Sequence, residues 1–387
     1  MNKKWLTVTL AGVFALAGCS QNGKTEEKIY GQYLYNIFGT EAVVCLGDEA
    51  TDAGMARAGE TINEVASLLK EVEKSLSVEI ETSCIARFNS ASPGERIVID
   101  QTTYEVLSIA MEMYELTGGA YNPSVGHLVD LWGFSPRFRD VDYQPEKPYD
   151  REMADGALAL PSEDYIESFS ALTNFQDVEF GEEGDSYYMV KPSSEVTIEG
   201  ITYTMMLDLG GIGKGYVADL GAEYVKGKGY DSGYVSLGSS SISLLKSLKE
   251  EDGYCWNLGF THPRPVIPGM NYIQSPVKDV SVSSSGDYEN YYYVDDTRYC
   301  HIIDPFTARP IQTGVCTATV IGLPASYADA LTTALLVMGT QQAVSFMQTT
   351  YPDVQYVIVK EGTALEIHTN LDSYTLLDQA IKVIKYE

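Results

Sequence analysis

The spacing of β-prone segments constrains this chain more than any other feature. Between residues 178 and 359, short runs of β-branched and aromatic residues follow one another, separated by turn-forming residues. They fall at 178–180, 187–191, 196–198, 204–209, 233–237, 255–260, 280–284, 291–294, 315–321 and 354–359. Upstream, residues 33–46 suit a first strand or hairpin. A few long helical patterns interrupt the strands. Residues 60–76 place Ile62, Val65, Ala66, Leu69, Val72 and Leu76 at helical spacing, and a second pattern over 103–116 stops at Gly118-Gly119. Strands in runs with long helices between them point to an α+β fold, with mixed or antiparallel sheets and several packed helices. The acidic, tyrosine-rich stretch 140–155 reads as a surface loop.

The N-terminus bears on location. Lys3 and Lys4 precede an apolar run from Trp5 to Ala17, which ends in Leu16-Ala17-Gly18-Cys19. The run is too short to span a bilayer, and a small residue before cysteine is where lipoprotein signal peptidase cuts, leaving a lipid on Cys19. The alternative is an ordinary secretory signal with a chance cysteine. The expected organisation is a lipoprotein signal peptide over 1–18, a tether over 19–30 after lipidated Cys19, and one domain over 31–387. Such a protein sits lipid-anchored on the extracytoplasmic face of the cell membrane.

A hydrophobic fraction of 44% and 28 tyrosines supply ample core. The net charge of −28 argues against nucleic acid and against electrostatic adhesion to anionic lipid. Beyond Cys19 the cysteines are Cys45, Cys84, Cys255, Cys300 and Cys316, without a Cys-x-x-Cys pair. Neither zinc nor redox chemistry is indicated, and buried thiols are expected.

Four segments carry chemistry. Residues 207–219, Leu-Asp-Leu-Gly-Gly-Ile-Gly-Lys-Gly-Tyr-Val-Ala-Asp, read as strand, glycine-rich turn and helix start, a junction that offers backbone N–H groups to an anion with Lys214 beside it. The glycine spacing is neither a Walker loop nor a dinucleotide fingerprint, so alone it equally fits a tight turn into a helix. Ser283-Ser284-Ser285-Gly286-Asp287-Tyr288 offers a second phosphate or ribose cradle, or simply a polar turn. His301-Ile302-Ile303-Asp304-Pro305 is followed by Ala328-Asp329-Ala330-Leu331-Thr332-Thr333-Ala334. On a helix, Asp329 and Thr333 would direct two oxygens from one face, as a hard divalent cation requires.

In their joint order these segments resemble the ApbE family, the FAD:protein FMN transferases, over nearly all of the chain beyond the leader. The resemblance also runs through Phe38-Gly39-Thr40, Ser83-Cys84-Ile85-Ala86-Arg87-Phe88-Asn89, the segment from Gly118-Gly119-Ala120-Tyr121-Asn122 to His127-Leu128, and Leu131-Trp132-Gly133-Phe134. It implies Mg²⁺-dependent cleavage of FAD, with FMN left on a threonine or serine of an acceptor protein and AMP released. By resemblance, Asp329, Thr333 and the Gly211 carbonyl hold Mg²⁺, with Lys214 near the same oxygens. Ala120, Tyr121 and Asn122 line the flavin and adenine pockets with the Ser83, Ile85 and Arg87 turn, and Phe38, Ser285, Gly286 and Asp304 complete the binding set. His301 is expected to bind there and to help deprotonate the acceptor hydroxyl.

Several residues depart from the family pattern. Asn122 stands where aspartate is usual, Ala308 and Ser239 where glycine is usual, and Glu79 where many members carry an aromatic residue. A carboxylate at Glu79 is expected to weaken FAD retention and favour hydrolysis, so an FAD pyrophosphatase giving FMN and AMP is one alternative. A non-catalytic flavin-binding lipoprotein is another. The acceptor motif of the family, of the Ser/Thr-Gly-Ala-Thr type, is absent from this chain, which points to a separate acceptor protein.

Overall fold

The computed structural model describes residues 14–17, 26–135, 160–247 and 256–386. The fold is α+β, as expected. Its centre is a ten-stranded sheet, whose order is Phe14–Ala17, Glu27–Ile37, Thr40–Glu49, Gly233–Leu237, Ser241–Leu244, Ser281–Gly286, Val315–Ile321, Gln355–Lys360, Glu366–Thr369 and Lys382–Lys385. Neighbours run antiparallel except at the last pair. The helices are α1 (Asp52–Leu76), α2 (Cys84–Ser90), α3 (Gln101–Leu116), α4 (Gly126–Leu131), α5 (Glu163–Ser170), α6 (Gly213–Gly227) and α7 (Ala325–Thr350), the last broken at Gly339 where φ is +73°.

Helices α1, α6 and α7 cover one face, with Ile62, Leu69, Val217, Leu331 and Leu335 in the larger core. Val282, Val357, Val359 and Ile367 turn the other way, into a second core with Tyr272 and Ile273. Apolar residues on both faces explain why Val315–Ile321 is buried throughout and lacks alternation. Cys45, Cys84, Cys300 and Cys316 are buried free thiols, while Cys19 and Cys255 lie outside the described residues.

The structure corrects several boundaries. Glu27 to Tyr30 already pair with Glu49 to Leu46, so ordered pairing begins before Gly31. Helix α1 starts earlier than residue 60 because Thr51 Oγ1 accepts from Gly54 N at 3.0 Å, capping a first turn that holds Asp52. Part of the expected leader, Phe14–Ala17, forms the edge strand against Lys28 to Gly31. The loop expected at 140–155 lies outside the described residues.

Residues 204–209 do not form the expected strand: Ile201–Thr204 pairs only with Glu195–Ile198, and 205–209 is extended but unpaired with any strand. Its backbone groups are satisfied otherwise. Asn89 donates Nδ2 to Leu207 O at 2.9 Å and accepts from Leu207 N at 2.8 Å. Gly126 N donates to Met206 O at 3.1 Å, and Asp208 N to Pro123 O at 2.8 Å. The Lys191 ammonium, 1% exposed, donates to Met205 O and to Phe88 O, the latter at 2.9 Å. This buried extended segment fixes the chain that enters the glycine-rich turn.

Burial pushes the Lys191 pKa down to about 8. A lysine whose folded pKa lies below its unfolded value binds fewer protons when folded, so stability rises with pH between the two. The wild type should therefore gain up to about 3 kcal/mol over a Lys191→Met variant as pH rises from about 8 towards 10.5. Urea unfolding of both chains across that range checks the sign.

Candidate active site

A cleft of about 700 Å³ opens where four elements meet: the glycine-rich turn, the Ser284–Gly286 strand end, the first turns of α7 and the Phe38-Gly39 hairpin turn. The glycine-rich start of α6 does more than present amides. A Cβ at Gly215 would lie 2.1 Å from Ala325 O, so glycine there lets α6 cross the start of α7. The Gly215 N–H then donates to Asp329 Oδ2 at 3.0 Å, and is not left for an anion. Asp219 fixes the same crossing by accepting from Ala325 N and Ser326 N, each at 2.9 Å, at the start of α7.

These contacts aim α7. Asp329 is buried, and among the described residues its Oδ1 accepts no hydrogen bond. One turn on, Thr333 Oγ1 lies 3.4 Å from where a Cβ on Gly211 would stand, ordinary contact distance that makes the two residues neighbours. Carboxylate, hydroxyl and backbone carbonyl are oxygen donors of the kind Mg²⁺ prefers, so the residues present fit that ion. The Tyr121 ring reaches the same point, with Cε2 also 3.4 Å from the Gly211 position. Burial, with the charges of Asp329 and Asp208, holds its phenol well above the ordinary range, and its hydroxyl has no hydrogen-bond partner.

Carboxylates dominate the walls: Glu73, Glu79, Asp208, Glu289 and Asp329 face Lys214, whose Nζ donates to Gly210 O at 3.1 Å. The Glu289 side chain is open to the cleft, yet the enclosing walls raise its pKa, with Asp329 adding to the rise and Lys214 opposing it. Burial likewise raises the Glu73 carboxyl, although Phe38 N donates to it at 2.8 Å. His301 is held at the rim by Asn290, whose carbonyl accepts from its backbone N at 3.0 Å and lies 3.2 Å from its Nδ1. A carbonyl only accepts, so Nδ1 carries a proton and donates to it.

Of the expected site residues, Phe38, Ala120, Tyr121, Asn122, Gly211, Lys214, Ser285, Gly286, His301, Asp329 and Thr333 converge on this cleft. Ser83, Ile85, Arg87 and Asp304 do not line it. The Ser83 hydroxyl caps α2 and donates to Ser77 O at 2.5 Å, supporting the Ser77 to Glu79 wall from behind. Ile85 is core, and Arg87 donates to Val98 O at 2.5 Å. Asp304 closes its own turn by accepting from Phe306 N at 2.8 Å. Asn122 uses Nδ2 to donate to Thr173 O at 2.8 Å, which an aspartate could not do. Glu73, Asp208 and Glu289 were not expected, since acidic side chains are common along this chain and give no local signal.

Ser239 and Ala308, the two substitutes for glycine, both have left-handed backbones, with φ of +54° and +56°. Ser239 is exposed between cleft residues Gly238 and Ser240, so relief of backbone strain decides its effect. Ser239→Gly should stabilise the protein by about 1 kcal/mol, read as a higher denaturant midpoint; an unchanged midpoint would mean the turn carries no strain.

A scaffold that brings a histidine, a lysine and a set of oxygen donors from distant segments into one large cleft is that of an enzyme. The ApbE family model matches residues 38–358, and the chain belongs to that family. It is 29% identical over 351 residues to the FAD:protein FMN transferase of Vibrio cholerae serotype O1, covering 89% of this chain and 90% of that protein. The FAD:protein FMN transferase of Escherichia coli K12 is 28% identical over 313 residues, 80% of each chain. Among solved structures, flavin transferase ApbE from Vibrio cholerae matches with TM-score 0.67 at 25% identity, covering 88% of this chain and 97% of that one. The ApbE protein of Thermotoga maritima matches with TM-score 0.69 at 27% identity, covering 87% and 96%.

Proposed function

We propose that this enzyme transfers FMN from FAD to a threonine or serine hydroxyl of an acceptor protein, forming a phosphoester and releasing AMP, with Mg²⁺ held by Asp329, Thr333 and the Gly211 carbonyl. The convergence of those oxygens with Lys214 and His301 on one cleft carries the reading. An anionic pyrophosphate entering walls that hold five carboxylates and one lysine needs a cation to offset repulsion. Asp329, Thr333 and the Gly211 carbonyl would hold the metal, which would supply charge stabilisation for the departing AMP. Lys214 adds a point charge beside the same oxygens. His301 Nε2 accepts the proton of the acceptor hydroxyl, which is a poor nucleophile without a base. Ala120, Tyr121, Asn122 and Phe38 bound the space that orients the flavin nucleotide.

The acceptor is a separate protein with a Ser/Thr-Gly-Ala-Thr type motif. The protein itself is anchored at the extracytoplasmic face of the membrane through lipid on Cys19. Among the described residues no helix is long and apolar enough to cross a membrane.

Glu79 on the cleft wall supports a second reading, hydrolysis of FAD with water as acceptor. Product balance separates the two. The chain from Ser20, FAD and Mg²⁺ are incubated with and without an acceptor carrier. Transfer predicts AMP release that depends on the carrier, and equal AMP and free FMN in both reactions would establish a pyrophosphatase.

A further inference from the structure

Most of the buried hydroxyls in this protein are paired, and the exceptions differ in their surroundings. Among the described residues Tyr121, Tyr203, Tyr272 and Tyr356 each bury a phenolic oxygen with no hydrogen-bond partner. All four pack in hydrophobic clusters, Tyr121 and Tyr356 in the larger core, Tyr272 in the second and Tyr203 against a third, and of the four only Tyr121 also lines the cleft. Tyr121 is 3% exposed, and its Cε2 and Thr333 Oγ1 each lie 3.4 Å from the point that a Cβ on Gly211 would occupy. Asp329 is the charge that acts most strongly on it. An unpaired hydroxyl at full burial is costly, and phenylalanine would fill the same volume without that cost. A polar atom kept on a ring that adjoins Gly211, next to Thr333, has a use once the cation arrives.

We propose that the Tyr121 hydroxyl is a positioning group of the cation site, donating a hydrogen bond to a ligand oxygen, that of Asp329, when the metal is bound. This rests on the assignment of Asp329 as a metal ligand. Ligand side chains in metal sites are commonly oriented by such outer partners, whose loss typically weakens metal affinity about 10-fold or more. Removing the oxygen therefore has opposite effects in the two states. Without metal it relieves an unpaired buried group, and with metal it removes a bond.

The test uses the whole enzyme, without FAD, and Mg²⁺ alone as the probe. Wild type, Tyr121→Phe, Tyr356→Phe and Asp329→Ala are compared by thermal unfolding and by calorimetric Mg²⁺ titration. Tyr121→Phe should melt no lower than wild type in the absence of metal, yet bind Mg²⁺ about 10-fold more weakly. Tyr356→Phe should bind Mg²⁺ as wild type does. Wild-type Mg²⁺ affinity in Tyr121→Phe, with weakened binding in Asp329→Ala, overturns the role of the hydroxyl alone. Wild-type affinity in Asp329→Ala overturns the metal assignment beneath it.

Discussion

Replacing Asp329 with alanine is expected to lower flavin transfer by about 1000-fold or more and to remove its dependence on Mg²⁺. A metal held at the pyrophosphate contributes several kcal/mol of charge stabilisation in the transition state, and each 1.4 kcal/mol is tenfold in rate. Asp329 also has a structural duty, because its Oδ2 accepts from Gly215 N at the α6–α7 crossing. Loss of that acceptor strands a buried N–H, at a cost of about 1–3 kcal/mol. Asp329→Asn separates the duties, since an amide oxygen can still accept from Gly215 while the charge is gone. Turnover against Mg²⁺ concentration, measured with unfolding midpoints for both variants, reads the result. Near wild-type turnover in either folded variant would remove the metal assignment.

His301→Ala should reduce transfer by about 100- to 10,000-fold, the usual range for loss of a general base. FAD affinity should stay nearly unchanged, because the ring sits at the rim of the cleft, held by the Asn290 carbonyl. Equilibrium FAD binding and single-turnover transfer are measured on the same variant. If both fall together, His301 belongs to nucleotide binding. If neither falls, another group takes the proton.

Local pattern carried much of the architecture. The strands at Gly233–Leu237, Tyr291–Val294 and Val315–Ile321 fall where β-prone runs predict them, and α1 and α3 end where their apolar periodicity ends. Short or polar strands such as Arg96–Ile99 and Ser241–Leu244 escaped notice, because their pairing is decided by neighbours distant in sequence. The 204–209 segment misled for the converse reason. Its composition suits a strand, but its partners are Asn89, Lys191, Pro123 and Gly126, and no neighbouring strand.

The candidate site was legible to a similar depth. Motifs bearing Gly211, Lys214, His301, Asp329 and Thr333 do converge on one cleft. The turn from Ser83 to Arg87 supports a wall and does not line it, since the Ser83 hydroxyl is committed to Ser77 and Ala86. Gly215 reads in sequence as part of a phosphate loop, whereas its lack of a side chain serves helix packing against Ala325. The acids Glu73, Asp208 and Glu289 give no signal in a chain of net charge −28, and only three-dimensional proximity marks them.

The most direct measurement is the intact mass and in-gel flavin fluorescence of an acceptor carrier after incubation with this enzyme, FAD and Mg²⁺, with AMP quantified in parallel and EDTA as the control. The account predicts a carrier that gains one FMN on its motif hydroxyl, fluorescence that survives denaturation, an equal amount of AMP, and no product with EDTA. An unmodified carrier beside intact FAD, or beside free FMN and AMP, would contradict it.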